Sequence, residues 1–450
     1  MPIDPTPENA SHLWRRAAFG ADPQQIAQTV ADGIEATVAT MFDHRRAVDA
    51  GKPVRHIGTQ GFETPQLNTW FVRLAVTSPT PAIERLIWFW HGHFATNTDK
   101  FENTEILYGQ LMQFRRHGMG RFDDLLKLVT RDPAMILWLD LNSSVVGKPN
   151  ENYARELMEL FSLGVDGGYT QADVVEAGRA FTGYTIVGER PPVAQVMPAL
   201  HDDGVKTVLG QTGSFTGDDV IDLIVQRPEC HRFVAGRLWT RYAGTTPPAS
   251  VLDDLAAAFA ERLVVRDLLV AMFTHPAFYA DEVVQGLVAQ PLETVINAVR
   301  GFGVDPFDVT RYEMTDDEEV SPPSALPYGV PLEMLEDMGQ VMAHPPNVGG
   351  WPHNEPWLDA TRSIGRLNAG IRFGAEIVEA DTDVVREIEA AAARDPRAAA
   401  ALIMQAFGHT AWSATTEAAI VAALTGPDDD AGPVANAITI AFTSPEVTLS

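Results

Sequence analysis

The chain of 450 residues contains a single cysteine, Cys230, and is short of basic side chains. One cysteine cannot form an intrachain disulfide, which fits a reducing compartment. Lysine and arginine number 33 against 60 aspartates and glutamates, so the net charge is −27. Contacts with a phosphate backbone or an anionic membrane surface depend on basic side chains. We therefore predict neither nucleic acid nor a membrane as a partner.

Long hydrophobic runs are also missing. No stretch approaches the ~20 apolar residues that a transmembrane helix needs. The N-terminus, MPIDPTPENASHLWRRAAFG, has no apolar core of a secretory signal, and the Arg15–Arg16 pair is not followed by one. We therefore expect a cytoplasmic protein.

The sequence contains none of the short motifs that identify common enzymes. It has no GxSxG, no glycine-rich phosphate loop, no HExxH and no pair of metal-binding cysteines. Any catalytic site must therefore be sought in less familiar combinations of acidic, amide and imidazole side chains.

Apolar residues recur mostly at helical spacing, as in Phe122–Thr130 and Val265–Phe273. Around His201 the pattern changes to β-branched residues flanking an Asp-Asp-Gly turn, which predicts a β-hairpin. The predicted fold is mainly α, a large multi-helix body with one small β-hairpin insertion. We divide the chain into regions that can form one compact domain: N-terminal helices (1–190), the hairpin (191–216), helices (217–302), an acidic proline-rich loop (303–331) and C-terminal helices (332–450).

The clearest predicted helix is Asn150–Leu163, NENYARELMELFSL. At ~100° per residue its polar side chains form one stripe, which contains Asn152, Arg155, Glu156 and Glu159. Glu156 borders the apolar face, and a partly buried carboxylate needs a cation, a metal or a proton. The alternative is an ion ladder, since Glu151 and Arg155 have i, i+4 spacing and Arg155 also reaches Glu159.

Two histidines, His91 and His93, border the apolar stripe of a helix predicted over 83–94. On a regular helix they point about 160° apart and cannot bind one ion together. Gly92 between them could distort the helix and let them converge. Imidazole is a common metal ligand, but a histidine beside a core stripe can also be purely structural.

The predicted hairpin turn supplies a second polar pair, His201–Asp202, which is similar to the His-Asp pair of metal phosphohydrolases. Asp203–Gly204 is ordinary turn chemistry. Further on, 344–357 is rich in proline and tryptophan. Such a loop can line a ligand pocket or cover the core through Trp351 and Trp357.

Several segments resemble a bacterial family known as domain of unknown function 1800. They are HLWRRAAFG (12–20), FWHGHFAT (89–96), GKPNENYARELMELFSLGVDGGYTQADVVEAGRAFTGY (147–184), HDDGVKTVLG (201–210) and PPNVGGWP (345–352). The positions that the resemblance marks as shared are Asn150, Glu151, Asn152, Arg155, Glu156, Glu159, His91, His93, His201 and Asp202. Many relatives look exported, and many are encoded beside a sulfatase-like protein, which the resemblance suggests as a partner.

Three functions are consistent with these residues. The first is a metal-dependent enzyme, a hydrolase or oxidoreductase, with Zn, Fe or Mn held between helices. Its predicted metal ligands are His91, His93, Glu156, Glu159, His201 and Asp202, and its predicted catalytic residues are Asn152, Arg155, Glu156 and Glu159. The second is a metal-free glycan-active enzyme in which paired carboxylates transfer protons and Trp90, Trp351 and Trp357 stack on sugars. The third is a binding or assembly protein without catalysis.

Overall fold

The computed structural model describes residues 3–52, 63–101, 103–188, 192–304, 330–427 and 431–449. α-Helices dominate these ranges, and the strands form two small antiparallel sheets, so the protein is mainly α as predicted. Most of the predicted loop at 303–331 lies outside the described residues. Among the helices that the structure describes, none is both long and apolar enough to cross a membrane.

The helices that precede the sheets are α1 (Pro7–Ala17), α2 (Pro23–Asp32), α3 (Ile34–Met41), α4 (Thr64–Thr77), α5 (Pro81–His93), α6 (Thr104–His117), α7 (Phe122–Thr130), α8 (Pro133–Trp138), α9 (Asn152–Glu156) and α10 (Gln171–Ala180). Those that follow are α11 (Gly217–Val225), α12 (Pro228–Ala243), α13 (Ala249–Ala260), α14 (Val265–Phe273), α15 (Pro291–Gly301), α16 (Val330–Asp337), α17 (Ala360–Glu379), α18 (Asp383–Ala392), α19 (Pro396–Ala406), α20 (Ala414–Leu424), α21 (Pro433–Thr443) and α22 (Pro445–Thr448).

Proline marks the start of many of these helices. Its missing N–H would have no partner in the first turn, and its φ already suits a helix. At α8 the preceding Asp132 accepts a hydrogen bond from the backbone N–H of Met135 (3.1 Å), and at α1 Thr6 accepts one from Asn9 (3.2 Å). A capping side chain followed by proline therefore fixes where these helices begin.

Helix α1 was not predicted by hydrophobic periodicity. Its buried side carries His12, Arg15 and Arg16 beside Ala10 and Leu13. The buried face is therefore not mainly apolar, and the apolar pattern of a helix is missing from the sequence. Arg16 donates to the backbone carbonyl oxygens of Tyr242 (3.2 Å) and Val283 (2.5 Å), and His12 Nε2 lies 2.9 Å from that of Phe278, whereas Arg15 donates to Ser11 Oγ of its own helix (3.2 Å).

Helix α5 lies at the centre of the N-terminal helices. Every residue of it except Gly92 is buried, and it packs against α3, α4 and α6. A helix buried all round is expected in the core of a large protein. The helix runs through Gly92 to His93 without a break, so the predicted distortion there is wrong.

The loop at 344–357 packs onto α5 through glycines. A Cβ added to Gly350 would lie 2.1 Å from the carbonyl oxygen of Gly92, and Gly350 also has a φ of +82°. Both features require glycine at position 350. This close approach places Trp351 against His91 and Trp88.

The predicted small hairpin insertion is present, but as two hairpins. Strand β1 (Tyr184–Val187) pairs antiparallel with β2 (Val193–Val196), and β3 (Lys206–Val208) pairs with β4 (Gln211–Gly213). The first therefore begins before residue 191, where the sequence was assigned to the N-terminal region. The Asp-Asp-Gly segment lies between the hairpins and is not the turn of either one.

One connected cluster of buried apolar side chains extends from Ile3 to Val447. It includes residues from 1–190, 191–216, 217–302 and 332–450, the last represented by helices α16 to α22. The hairpin region contributes Val208. The segment 147–184, which carries the longest family resemblance, packs on this common core and presents its polar side to solvent.

Candidate functional site

The predicted helix at 150–163 is not a regular α-helix. After α9 the chain continues as a π-helix, Leu157–Ser162, and we call residues 152–162 the signature helix. The backbone N–H groups of Leu163 and Gly164 both donate to the carbonyl oxygen of Met158 (2.8 and 3.0 Å). A π-turn accommodates one extra residue and is frequent at functional sites. The wider turn lets residues 157, 158, 161 and 162 all face the core.

A polar cleft of about 400 Å³ lies at the start of the signature helix, and it is lined by Ser143, Lys148, Pro149, Asn150, Glu151, Asn152 and Arg155. Lys148 and Asn152 are exposed. In the part of the chain that the structure describes, neither side chain makes a hydrogen bond or ion pair. The cleft therefore offers free donors of both cationic and amide type.

Asn150 holds the cleft in shape. Its Nδ2 donates to the carbonyl oxygen of Asp140 (3.2 Å) and to Ser143 Oγ (3.3 Å). Its Oδ1 accepts from the backbone N–H of Asn152 (2.9 Å), and its own N–H donates to Ser144 Oγ (3.0 Å). Because all its polar atoms are engaged with the chain, Asn150 positions the cleft and does not offer free atoms to a ligand.

One wall of the cleft is a closed polar network. Arg155 Nη2 donates to Glu151 Oε2 (3.0 Å) and to Gln171 Oε1 (2.9 Å), and Gln171 Nε2 donates to the same Glu151 oxygen (2.8 Å). The alternative of an i, i+4 ion ladder is thus confirmed for Glu151 and Arg155. Gln171 lies on the next helix, twenty residues from Glu151, and no sequence spacing indicated it.

Glu156 and Glu159 lie one turn further along and are half-buried. Within the described residues neither carboxylate makes a hydrogen bond or ion pair. Burial raises the pKa of Glu156, the negative charge of Glu159 raises it further, and Arg155 opposes both effects. Tyr169 is nearby, and its pKa is raised by burial and then by Glu159. The structure therefore brings Glu156, Glu159 and Arg155 together as predicted.

His93 is enclosed by aromatic rings, including those of Phe89 and Phe94. Its Nε2 donates to the carbonyl oxygen of Phe161 (3.0 Å), at the end of the π-helical segment. Burial and then the charge of Arg237 lower its pKa, the bond to Phe161 opposes both, and the net pKa is about 3. This hydrogen bond connects the signature helix to α5 and occupies Nε2 of His93.

His91 is also fully buried, between Trp88 and Trp351. Its Nε2 accepts a hydrogen bond from the backbone N–H of Ala343 (3.3 Å), and its Nδ1 has no partner. Burial lowers its pKa to about 3. The imidazole therefore connects α5 to the segment that follows α16.

His201 and Asp202 join the two hairpins to α10. His201 Nδ1 is 3.0 Å from the carbonyl oxygen of Thr182, and the carboxylate of Asp202 accepts from Arg179 Nε (2.8 Å) and Nη2 (3.1 Å). Hydrogen bonds from Arg179 outweigh burial and lower the pKa of Asp202. An aspartate held this way by a guanidinium has little capacity left for a metal ion.

The six predicted metal ligands are therefore distributed over separate contacts. Among the described residues, no three histidine, cysteine, aspartate or glutamate side chains are arranged to hold a metal ion. The predicted residues do not fit a shared metal centre, because His93 and Asp202 are bound to other protein groups and His91 is enclosed by tryptophans. Only Glu156 and Glu159 of the predicted set remain adjacent and unpartnered.

The tryptophans proposed to stack on sugars are not exposed to a groove. Trp90 and Trp357 are buried, and Trp351 packs on Trp88 with ring centroids 4.5 Å apart. The loop at 344–357 thus covers the core, which was the alternative stated for it.

A second polar cluster, which sequence reasoning missed, lies inside the protein around Glu293 of α15. The carboxylate forms ion pairs with Arg85 (Nη2–Oε1 3.1 Å) and with Arg241. Burial raises the pKa of Glu293, but the two arginines outweigh it and the net shift is downward. Glu293 occupies the third position of α15, where it also accepts a hydrogen bond from the backbone N–H of Gln290 (3.0 Å), but both arginines that pair with it are remote in sequence.

The sequence matches the family described as "Protein of unknown function (DUF1800)" over residues 12–449, nearly the whole chain. No curated protein and no solved structure matches it significantly.

Proposed function

Because the chain belongs to the DUF1800 family, whose description names no reaction, we propose from its geometry that it is an acid–base enzyme acting at the signature helix. The observation that supports this proposal is Glu156, a half-buried carboxyl group with a raised pKa that forms no hydrogen bond or ion pair with any described part of the chain. It lies one helical turn from Asn152, which lines the polar cleft.

The raised pKa of Glu156 suits acid–base catalysis. A general acid works best when its pKa approaches the working pH, and burial beside a second carboxylate produces such a shift. Glu156 would donate a proton to the leaving group. Glu159, next to it, would accept a proton or stabilise developing positive charge.

The cleft supplies the binding part of the proposed site. Among the described residues, the Lys148 side chain has no hydrogen-bond or ion-pair partner. Arg155 uses only Nη2 in its contacts with Glu151 and Gln171. Two cations and the amide of Asn152 favour a small polar substrate with an anionic group, because charge-assisted hydrogen bonds to anions are the strongest available. An acidic sugar, a carbohydrate that carries a carboxylate or sulfate, combines this group with a bond that acid–base chemistry cleaves.

This proposal is tested with D-glucuronate and uncharged D-glucose as paired probes. We expect 10 mM glucuronate to raise the melting temperature by about 1–3 °C and glucose to leave it unchanged, because binding to the folded state stabilises it. Lys148→Met should abolish the rise. Lys52→Met is the matched control, since Lys52 is exposed and does not line the cleft. Equal responses to both sugars, or to both variants, would contradict the proposal.

A second candidate is a divalent cation bound between Glu156 and Glu159. This keeps the metal-dependent enzyme as a hypothesis, but with only two of its predicted ligands. It is favoured by one observation: the negative charge of Glu159 raises the pKa of Glu156, and among the residues that the structure describes neither carboxylate forms an ion pair. Titration calorimetry with Mn²⁺ and Zn²⁺ tests it. We expect one equivalent to bind and the Glu156→Gln, Glu159→Gln double variant to lose it, while Glu151→Gln binds as the natural protein does. Absence of binding heat with both metals would exclude this candidate.

A further inference from the structure

Helix α17 presents an apolar stripe to solvent. Ile364, Leu367 and Ile371 are 61%, 46% and 53% exposed, although they are large aliphatic side chains. Their 3-4 spacing is that of the seam of a coiled coil. The opposite side of α17 is packed: Gly365 lies against the carbonyl of Asp337 on α16, and Gly374 against the carbonyl of Ala435 on α21.

The exposed face of α17 carries no charge between residues 360 and 375, although Glu379 at the C-terminal end of the helix is exposed. Between residues 360 and 375, the exposed residues are all uncharged: Ala360, Thr361, Ser363, Ile364, Leu367, Asn368, Ile371 and Ala375. The arginines of this stretch are placed elsewhere, since Arg366 is buried and Arg362 and Arg372 pair with acidic neighbours. In a chain of net charge −27, an uncharged face is one that a like-charged molecule can approach closely.

The two outer isoleucines of the stripe can face each other across a twofold axis, with Leu367 then facing Asn368. If two copies of α17 lie antiparallel with their twofold axis between Leu367 and Asn368, Ile364 of one copy faces Ile371 of the other, and the reverse. Ala360 then faces Ala375. A twofold interface requires this self-complementarity, because the same patch must fit itself.

We propose that α17 is the contact through which two copies of this chain form an antiparallel, twofold-symmetric dimer. One pair of helices five turns long gives a small interface, so the dimer is weak, with a dissociation constant on the order of micromolar. It buries the three aliphatic side chains that the monomer leaves in water.

Sedimentation from about 1 to 100 µM protein tests the association. The weight-average mass should rise from 49.0 kDa towards twice that value. Leu367→Glu brings two carboxylates together at the axis and should raise the dissociation constant roughly 100-fold. Val165→Glu is the matched control, because Val165 is 73% exposed on another surface, and it should dimerise as the natural protein does.

Single engineered cysteines test the geometry, because the natural Cys230 is fully buried. With a rise of 1.5 Å per residue, Asn368 lies about 1.5 Å along the axis from its symmetry mate, and Ala375 about 22 Å from its own. Asn368→Cys should therefore form a disulfide-linked dimer under mild oxidation, while Ala375→Cys should not.

The proposal is overturned if the natural protein stays monomeric to 100 µM, or if Leu367→Glu leaves association unchanged. Cross-linking of Ala375→Cys in preference to Asn368→Cys would also overturn it. So would an Asn368→Cys monomer that does not react with a soluble thiol reagent, since another part of the chain would then cover the face.

Discussion

Arg85 and Glu293 form an ion pair of 3.1 Å with both side chains almost completely buried. Removing the charge of a buried partner leaves the other charge uncompensated, which typically costs about 3–5 kcal/mol. We expect Glu293→Gln to lower the free energy of unfolding by this amount, because Arg241 also loses its acidic partner. Chemical denaturation monitored by circular dichroism measures the change. Asp253→Asn, which breaks the exposed pair with Arg232, is the control and should cost under about 1 kcal/mol.

Asp132 makes stability depend on pH near neutrality. Burial raises its pKa to about 7, opposed by hydrogen bonds from Met135 and Gln110. A carboxyl whose pKa is higher in the folded than in the unfolded state favours folding when protonated. Stability should therefore fall by roughly 2–3 kcal/mol as the pH rises from 5 to 8. Asp132→Asn keeps the capping oxygen and should remove this slope. If Asp132→Asn shows the same slope as the natural protein, then Asp132 ionises in the folded state with little cost in stability.

The raised pKa of Glu156 depends partly on Glu159. Glu159→Gln removes the neighbouring negative charge, so we expect the pKa of Glu156 to fall towards its ordinary value, though not all the way, because burial remains. Carboxyl ¹³C chemical shifts followed through a pH titration report it directly. Glu151→Gln is the control on the same segment, since Glu151 is held by Arg155 and Gln171. A pKa that is the same in all three proteins would contradict the pairing.

The buried histidines make the protein sensitive to acid. The pKa of His93 is about 3 in the folded state against about 6.5 unfolded. Its contribution to stability is complete above pH 6.5 and is lost as the pH falls towards 3, because the unfolded chain binds the proton first. His93→Gln should reduce the loss between pH 6.5 and 4 by roughly 2–3 kcal/mol. The exposed His117→Gln should follow the natural protein, and equal acid curves for all three would refute the assignment.

The contact between Gly350 and Gly92 predicts a large cost for one methyl group. Gly350→Ala places a Cβ 2.1 Å from the Gly92 carbonyl oxygen at a φ of +82°, so backbone strain of about 1 kcal/mol adds to overpacking of about 1–3 kcal/mol. Gly210→Ala, at a φ of +77° with nothing within 4 Å, should show the strain alone. Thermal unfolding of both variants separates the two contributions, and similar melting temperatures would show that the loop moves away.

Much of the fold follows from periodicity, and the exceptions have physical causes. Helices α7 and α14 begin and end at the predicted residues, because one side of each is apolar and the other polar. Helix α1 was missed because buried arginines replace apolar residues. For the site, local spacing predicted Glu151 with Arg155 and Glu156 with Glu159. Gln171 was missed because it bonds to Glu151 and Arg155 on another helix. Glu293 was missed because it pairs with Arg85 and Arg241, and local sequence patterns do not show contacts between such distant residues.

The π-helical segment has a consequence for the length of the chain. It holds one residue more than an α-helix would use between the same ends, in effect an insertion absorbed without a loop. Deleting one residue from the segment would let it close as an α-helix between the same ends. The wider turn that lets residues 157, 158, 161 and 162 all face the core would then be lost. The number of residues in this segment therefore decides which side chains of the signature helix are buried.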